Sequence, residues 1–228
     1  MDAMTRDMFA TWARSPRYLE LVKSTRASIT RYISGLKGPE VNVSVSGGKD
    51  SLVMLDLVLG ACPGASVWHW DYGIYMPRAI EAEVLAILRD HFELGPPRLV
   101  VDRRESKDPR SVAGYRAFFA AITGHLKATG ALLNFIGLRR EESCRRSNRA
   151  KEELEPCKPC PNAFPLAAWT WKDIWAYLVS RGIPYPSSYD AKGPVEGWDT
   201  ARFVTFFDPE FAHLGSIERD KFLFWKTR

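Results

Sequence analysis

At 228 residues the chain is long enough to bury a sizeable core and close to the upper end of one α/β domain, so a single domain with short appendages is expected. Hydrophobic residues make up 46% and charged residues 26%, with no low-complexity tract or internal repeat, which excludes the fibrous, disordered and repeat classes. The net charge of +5 favours anionic partners such as nucleotides or nucleic acid, and equally fits an ordinary charged surface.

The opening residues, MDAMTRDMFATWARSPRYLE, lack the basic, apolar, then small order of a secretory signal. The longest apolar run, Leu52 to Cys62, is interrupted by Asp56 and too short to span a bilayer, so a cytoplasmic protein with no membrane partner is expected. In that compartment Cys62, Cys144, Cys157 and Cys160 are reduced thiols or metal ligands.

Apolar residues at Tyr18, Leu21, Val22, Ile29, Tyr32 and Ile33 predict an amphipathic helix over residues 16–35, its polar face carrying Lys23, Arg26 and Arg31. From Glu40 the pattern alternates. Val41 to Val45 reads as a strand and Ser51 to Leu59 as a helix; Ser66 to Trp70 is a strand, followed by a helix from Pro77 to Phe92. Leu99 to Val101 is a third strand, a helix runs from about Ser111 to Ala128, and Leu132 to Ile136 is a fourth strand. Such alternation means an α/β fold with a parallel sheet covered on both faces, whose ligands bind at the carboxyl ends of the strands. The expected division is a helical segment over 1–38, a nucleotide-binding core over 39–190 and an extension over 191–228.

Directly after the first strand stands Ser46-Gly47-Gly48-Lys49-Asp50-Ser51. Two glycines let the backbone turn sharply and approach a ligand, and the helix that follows aims its free amides and positive dipole end at the same point. Ser46 and Ser51 add hydroxyl donors. Lys49, expected on an exposed loop where it contributes charge and little stability, completes an anion cradle. A Walker A loop is excluded, because the positions that would need Gly and Ser or Thr hold Val43 and Asp50.

This hexapeptide resembles the pyrophosphate loop of the PP-loop superfamily, adenine-nucleotide α-hydrolase-like proteins that cleave ATP between the α and β phosphates and adenylate a substrate. Three further segments narrow the resemblance. Trp70-Asp71-Tyr72-Gly73 with Pro77 looks like the Asp-Thr-Gly and proline segment of the phosphoadenosine phosphosulfate (PAPS) reductase-like branch, with Tyr72 in place of the threonine. Gly137-Leu138-Arg139-Arg140-Glu141-Glu142-Ser143-Cys144-Arg145-Arg146 is similar to its Gly-x-Arg-x-x-Glu-Ser-x-x-Arg motif. Pro165-Leu166, Trp169 to Leu178 and Gly182 to Pro186 look like its closing helix and loop. The resemblance implies a Rossmann-like, doubly wound, mostly parallel sheet and an adenine nucleotide as ligand: ATP, or adenosine 5′-phosphosulfate (APS) or PAPS.

Residue chemistry suggests roles at these places. Arg139 and Arg146 can grip phosphate or sulfate oxygens bidentately, and Glu142 can orient an arginine or a magnesium-bound water; a charged helix laced with pairs such as Glu142 with Arg146 is the alternative. Mg²⁺ is expected with a triphosphate. Asp71 can hold a ribose or a metal, or cap a turn. Gly73, Gly137 and Ser143 complete the candidate binding set, and the aromatics of Trp169 to Leu178 are assigned to packing.

Members of the branch divide among chemistries. The reductases carry a Glu-Cys-Gly-x-His segment near the C-terminus, and no cysteine follows Cys160 here. Cys157-Lys158-Pro159-Cys160 with Cys144 is compatible with an iron–sulfur cluster or zinc, or with an unligated pair in a proline-rich loop. The expectation is an ATP pyrophosphatase or adenylyltransferase, activating a substrate for sulfur transfer with a nucleic acid or a sulfur-transfer protein as partner. A reductase with a displaced cysteine and a non-catalytic nucleotide-binding subunit are the alternatives.

Overall fold

The computed structural model describes residues 1–73, 76–105, 112–142 and 144–201, with the backbone alone for 112–115 and 144–146. Ser143 and the tail aromatics Phe203, Phe206, Phe207 and Phe211 therefore lie outside the described residues, as do the side chains of Cys144 and Arg146.

Six strands form one sheet in the order β3-β2-β1-β4-β6-β5. They are β1 (Val41–Val45), β2 (Ser66–Asp71), β3 (Leu99–Arg103), β4 (Leu133–Ile136), β5 (Leu154–Glu155) and β6 (Asn162–Ala163). All pairings are parallel except β5 with β6. The fold is the expected mostly parallel α/β sheet flanked by helices. The chain lays down β1, β2 and β3 in one direction and then returns to place β4 on the other side of β1. That reversal lies beyond the carboxyl ends of β1 and β4, the place where doubly wound sheets take their ligands.

Among the described residues eight α-helices accompany the sheet: α1 (Ala3–Trp12), α2 (Pro16–Tyr32), α3 (Lys49–Ala61), α4 (Arg78–Ala86), α5 (Val112–Thr129), α6 (Cys144–Arg149), α7 (Trp171–Arg181) and α8 (Ser188–Glu196). Their ends follow from local chemistry. Ser15 caps α2 by accepting from the Tyr18 amide, with Pro16 at the first position where a missing N–H costs nothing. Thr170 and Asp173 form a reciprocal capping box on α7, and Gly182 ends it in the left-handed conformation. The predicted helix over 16–35 stops at Tyr32, and the one predicted to reach Phe92 changes at Ile87 into a π-turn. The strands predicted to end at Trp70 and Val101 run on to Asp71 and Arg103.

Every residue of β2 is buried, as a strand covered on both faces must be, and the aromatics Phe9, Trp169, Trp175, Tyr177 and Tyr189 are buried in the same core. Polar side chains also cross the sheet in register. Ser66 donates to Asn42, Asn42 to Asn134, Asn134 to Asn162 and Asn162 to Glu155, at 2.8 to 2.9 Å. Because the side-chain period of a strand is two, a slip of one residue would break every link, so this ladder specifies the register. Helix α8 runs across residues 190 and 191, where the sequence suggested a boundary between core and extension.

Candidate nucleotide site at the ends of β1 and β4

The hexapeptide follows β1 directly. Gly48 caps α3, whose first residue is Lys49. Gly47 has φ +82°, and a Cβ there would meet the Val84 methyl carbons of α4 at 2.6 Å, so both conformation and space require glycine. Hydroxyls knit the turn: the Gly48 amide donates to Ser46 Oγ at 3.3 Å, Ser46 Oγ to Ser51 Oγ at 3.2 Å, and Ser51 Oγ to the Gly48 carbonyl at 2.8 Å. Ser46 is exposed at the rim while Gly47, Gly48, Lys49 and Asp50 are buried.

Lys49 departs from expectation. It is 1% exposed rather than an open loop residue. Its Nζ donates to the Ala201 carbonyl at 3.3 Å, stands 3.4 Å from Asp50 Oδ2 and lies over the Tyr189 ring, 5.4 Å from the centroid. Its backbone amide donates to Tyr189 Oη at 3.1 Å. Helix α8 thus lies over the cradle, held by Trp175, whose ring packs edge-on against Tyr189 at 5.2 Å and whose Nε1 donates to the Trp198 carbonyl at 2.9 Å.

The loop after β4 packs against the one after β1. A Cβ on Gly137 would come within 2.6 Å of the Asp50 carbonyl, so glycine again permits the approach. Arg139 is 1% exposed; its Nε donates to Asp50 Oδ1 and its Nη1 to Glu141 Oε1, while Glu142 Oε2 accepts from the Arg139 amide at 3.2 Å. Burial works against the guanidinium charge, but Asp50, Glu142 and Glu141 outweigh it and hold Arg139 more firmly protonated than usual. Asp50 therefore joins both cationic residues, Lys49 and Arg139, beneath the loop. The backbone places α6, which carries Arg146, immediately after this segment.

Asp71 sits at the end of β2. Arg78 donates to both its oxygens at 2.7 and 2.8 Å, the Gly73 amide donates to Oδ1 at 2.8 Å, and Arg103 Nε is 3.6 Å from Oδ2. Burial opposes ionisation of Asp71, yet the bonds from Arg78 and Gly73 win and keep the carboxyl below its usual range. In this arrangement Asp71 organises its turn, the capping alternative named from the sequence.

The cysteines are dispersed in character. Cys62 caps the end of α3, Cys157 is exposed, and Cys160 is buried beside Leu126, Ala131 and Ile122. Burial, with a contribution from nearby Cys157, pushes the Cys160 thiol up to about 11, so it is a neutral thiol at physiological pH. Among the described residues no three His, Cys, Asp or Glu side chains come together as a metal site. The donor chemistry of three thiols suits a cluster, but the described pair, one sulfur exposed and one in an apolar pocket, does not fit one as arranged. For magnesium the same holds of protein carboxylates: Asp50 and Asp71 are engaged by lysine and arginine, so the ion would be held by phosphate oxygens and water.

Sequence reading missed Tyr189, Arg78, Val84 and the pair His69 and Glu81. Tyr189 stands 140 residues from the amide it contacts and carries no local signal. Arg78 directly follows Pro77 of the quoted segment and was within reach of a closer reading.

The geometry agrees with comparisons to known proteins. Residues 40–219 match the family model described as the phosphoadenosine phosphosulfate reductase domain. Adenosine 5′-phosphosulfate reductase of Geobacillus kaustophilus is 26% identical over 177 residues, covering 70% of this chain and 72% of that protein. Phosphoadenosine 5′-phosphosulfate reductase of Gloeobacter violaceus is 24% identical over 184 residues, covering 70% of each. Among solved structures, the U34-tRNA thiolase NcsA from Methanococcus maripaludis with its [4Fe-4S] cluster superposes with TM-score 0.52 at 13% identity, covering 87% of this chain and 80% of that one. An NH3-dependent NAD synthetase from Campylobacter jejuni gives 0.51 at 12% identity, covering 92% and 93%. No helix among the described residues is long and apolar enough to cross a membrane. With a family match that spans residues 40–219, the chain belongs to the phosphoadenosine phosphosulfate reductase domain family.

Proposed function

We propose that the protein binds an adenine nucleotide across the ends of β1 and β4 and cleaves ATP between its α and β phosphates. The observation that carries this reading is the Gly47 to Ser51 turn with the buried Lys49 cation, set at the reversal point of the sheet. An acceptor oxygen attacks the α-phosphorus, the bond from that phosphorus to the bridging oxygen breaks, and pyrophosphate leaves with the electron pair while AMP stays on the acceptor. Ser46, Gly47, Gly48, Asp50 and Ser51 shape the cradle, and Lys49 offsets the charge that develops on the leaving pyrophosphate. Arg139 fixes Asp50 and the Gly137 loop, and in this reading Arg146, Glu142 and Ser143, all from the segment that follows β4, are the candidates to meet the α-phosphate or the acceptor. Magnesium bound with the nucleotide would add charge stabilisation. Gly73 and the Asp71 turn flank the nucleoside.

The acceptor in this reading is activated for sulfur transfer, in a cytoplasmic setting where the thiols stay reduced. The thiolase likeness and the +5 charge support a nucleic acid as acceptor, and a sulfur-transfer protein is the natural co-reactant. Cys144, Cys157 and Cys160 are the cysteines the sequence offered for an iron–sulfur cluster or zinc, but the described pair is not arranged to hold one, and no step above passes through them.

The names of the curated relatives favour a second reading, reduction of APS or PAPS. There a thiolate attacks the sulfate sulfur, the sulfur–oxygen bond breaks, the nucleotide leaves, and a second thiol reduces the thiosulfonate to release sulfite. The raised Cys160 thiol speaks against that residue as nucleophile. The test supplies each nucleotide with magnesium and a thiol reductant to anaerobically purified protein. Pyrophosphate from ATP, its AMP transferred to an RNA pool added as acceptor or to water, supports the first reading; sulfite from APS or PAPS with no pyrophosphate from ATP replaces it with the second. Binding without either product makes the chain a nucleotide-binding subunit.

A further inference from the structure

His69 and Glu81 lie outside the phosphate loop and are completely buried. His69 stands in β2 in register with Val45, the last residue before the loop. Its Nδ1 lies 2.8 Å from the Val45 carbonyl, which can only accept, so that nitrogen carries a proton. Its Nε2 lies 2.8 Å from Glu81 Oε1 on α4, and Glu81 Oε2 has no hydrogen-bond partner among the described residues. With Nδ1 protonated, the contact between Nε2 and Oε1 needs a second proton on the ring or on the carboxyl, and withdrawing either form of the pair from water is costly before any pairing, so the pair is a poor device for stability alone.

What the pair joins explains it. Three residues beyond Glu81 on the same helix is Val84, whose methyl carbons close the space over Gly47. Between them is Glu83, which accepts from both the amide and the hydroxyl of Ser187 at 2.7 Å and so docks the start of α8, the helix that brings Tyr189 to the Lys49 amide. Helix α4 also begins with Arg78, which ties down Asp71. One helix therefore touches the roof of the cradle, its covering helix and the turn after β2. His69 links that helix by hydrogen bonds to the Val45 carbonyl, on the backbone from which the cradle departs.

Resting on the phosphate-cradle reading above, we infer that His69 and Glu81 are positioning residues: their bridge from the Val45 carbonyl to α4 sets the height of the phosphate loop. The effect belongs to the phosphate end of the ligand, so pyrophosphate serves as the probe, with ATP beside it.

The experiment measures pyrophosphate and ATP affinity by calorimetry, well below the unfolding midpoint, in wild type, Glu81→Gln, Glu81→Leu and His69→Asn. Glutamine can still bond to the imidazole; leucine cannot. Asparagine can reach Val45 but is too short for Glu81, and it serves if Glu81→Leu does not fold. The inference predicts at least a ten-fold loss of pyrophosphate and ATP affinity in Glu81→Leu and His69→Asn, with Glu81→Gln within about three-fold of wild type. Lowered unfolding temperature with unchanged affinity would show a purely structural pair and overturn the inference while leaving the cradle intact. Equal losses in Glu81→Gln and Glu81→Leu would also overturn it, since charge and not the bridge would then matter. A wild type that binds neither probe removes the cradle and the bridge together.

Discussion

Lys49 shows how burial changes what a residue can be expected to do. Its charge was legible in the hexapeptide, but its surroundings come from Tyr189 and Ala201, 140 and 152 residues away, and no local pattern reports them. A buried lysine with a carbonyl, a carboxylate and an aromatic face around it contributes to folding as well as to chemistry. Lys49→Ala should therefore abolish turnover and also lower stability by about 1 to 3 kcal/mol in denaturant unfolding. Lys49→Met, which keeps the aliphatic stem, should lose activity equally with a smaller loss of stability. Full activity in either variant would remove the lysine from the mechanism. Gly47 and Gly137 belong to the same scale: a glycine pair after a strand announces close approach, but only the structure shows that Val84 and the Asp50 carbonyl are what approach.

At the scale of elements, β1 through β4 and the helices between them were legible because each combines a period with a start or stop residue. The elements that were missed lack that combination. Strand β6 is two residues long, α6 is a run of charged and polar residues, and α8 contains Gly193 and Pro194, which argue against a helix in any local reading. The polar ladder across the sheet carries no local sequence signal, because only the pairing register aligns its asparagines. Its outer contact, His125 Nε2 to Asn42 Oδ1 at 2.9 Å, gives a pH signature. Burial holds the His125 imidazole below its usual range, with Asp102 opposing. The folded state therefore favours the neutral ring, while the unfolded chain protonates near the ordinary value of about 6.5. The contribution is complete above that pH and is lost as pH falls from there towards the folded value, at no more than about 1.4 kcal/mol per pH unit. Unfolding free energies of wild type and His125→Gln between pH 5 and 8, a window of about one and a half units either side of the ordinary imidazole value, should show the acid-side slope reduced in the variant; parallel curves would exclude His125 as its source.

For the molecule as a whole, the order β3-β2-β1-β4-β6-β5 does the organising. It brings the loops after β1 and β4, separated by about ninety residues of chain, side by side, where Asp50 joins Lys49 to Arg139. The strand–helix alternation, the glycine turn and the order of the family segments all pointed to this end of the sheet. The proposed ligand was not legible beyond its class, because ATP, APS and PAPS share the adenosine 5′-phosphate. The most direct measurement is calorimetric titration of ATP, APS and PAPS, each with magnesium, into anaerobically purified wild type and Lys49→Met. The account predicts that ATP binds wild type more tightly than either sulfonucleotide and that Lys49→Met weakens ATP at least ten-fold. Tighter binding of APS or PAPS, or ATP affinity indifferent to Lys49, would contradict it.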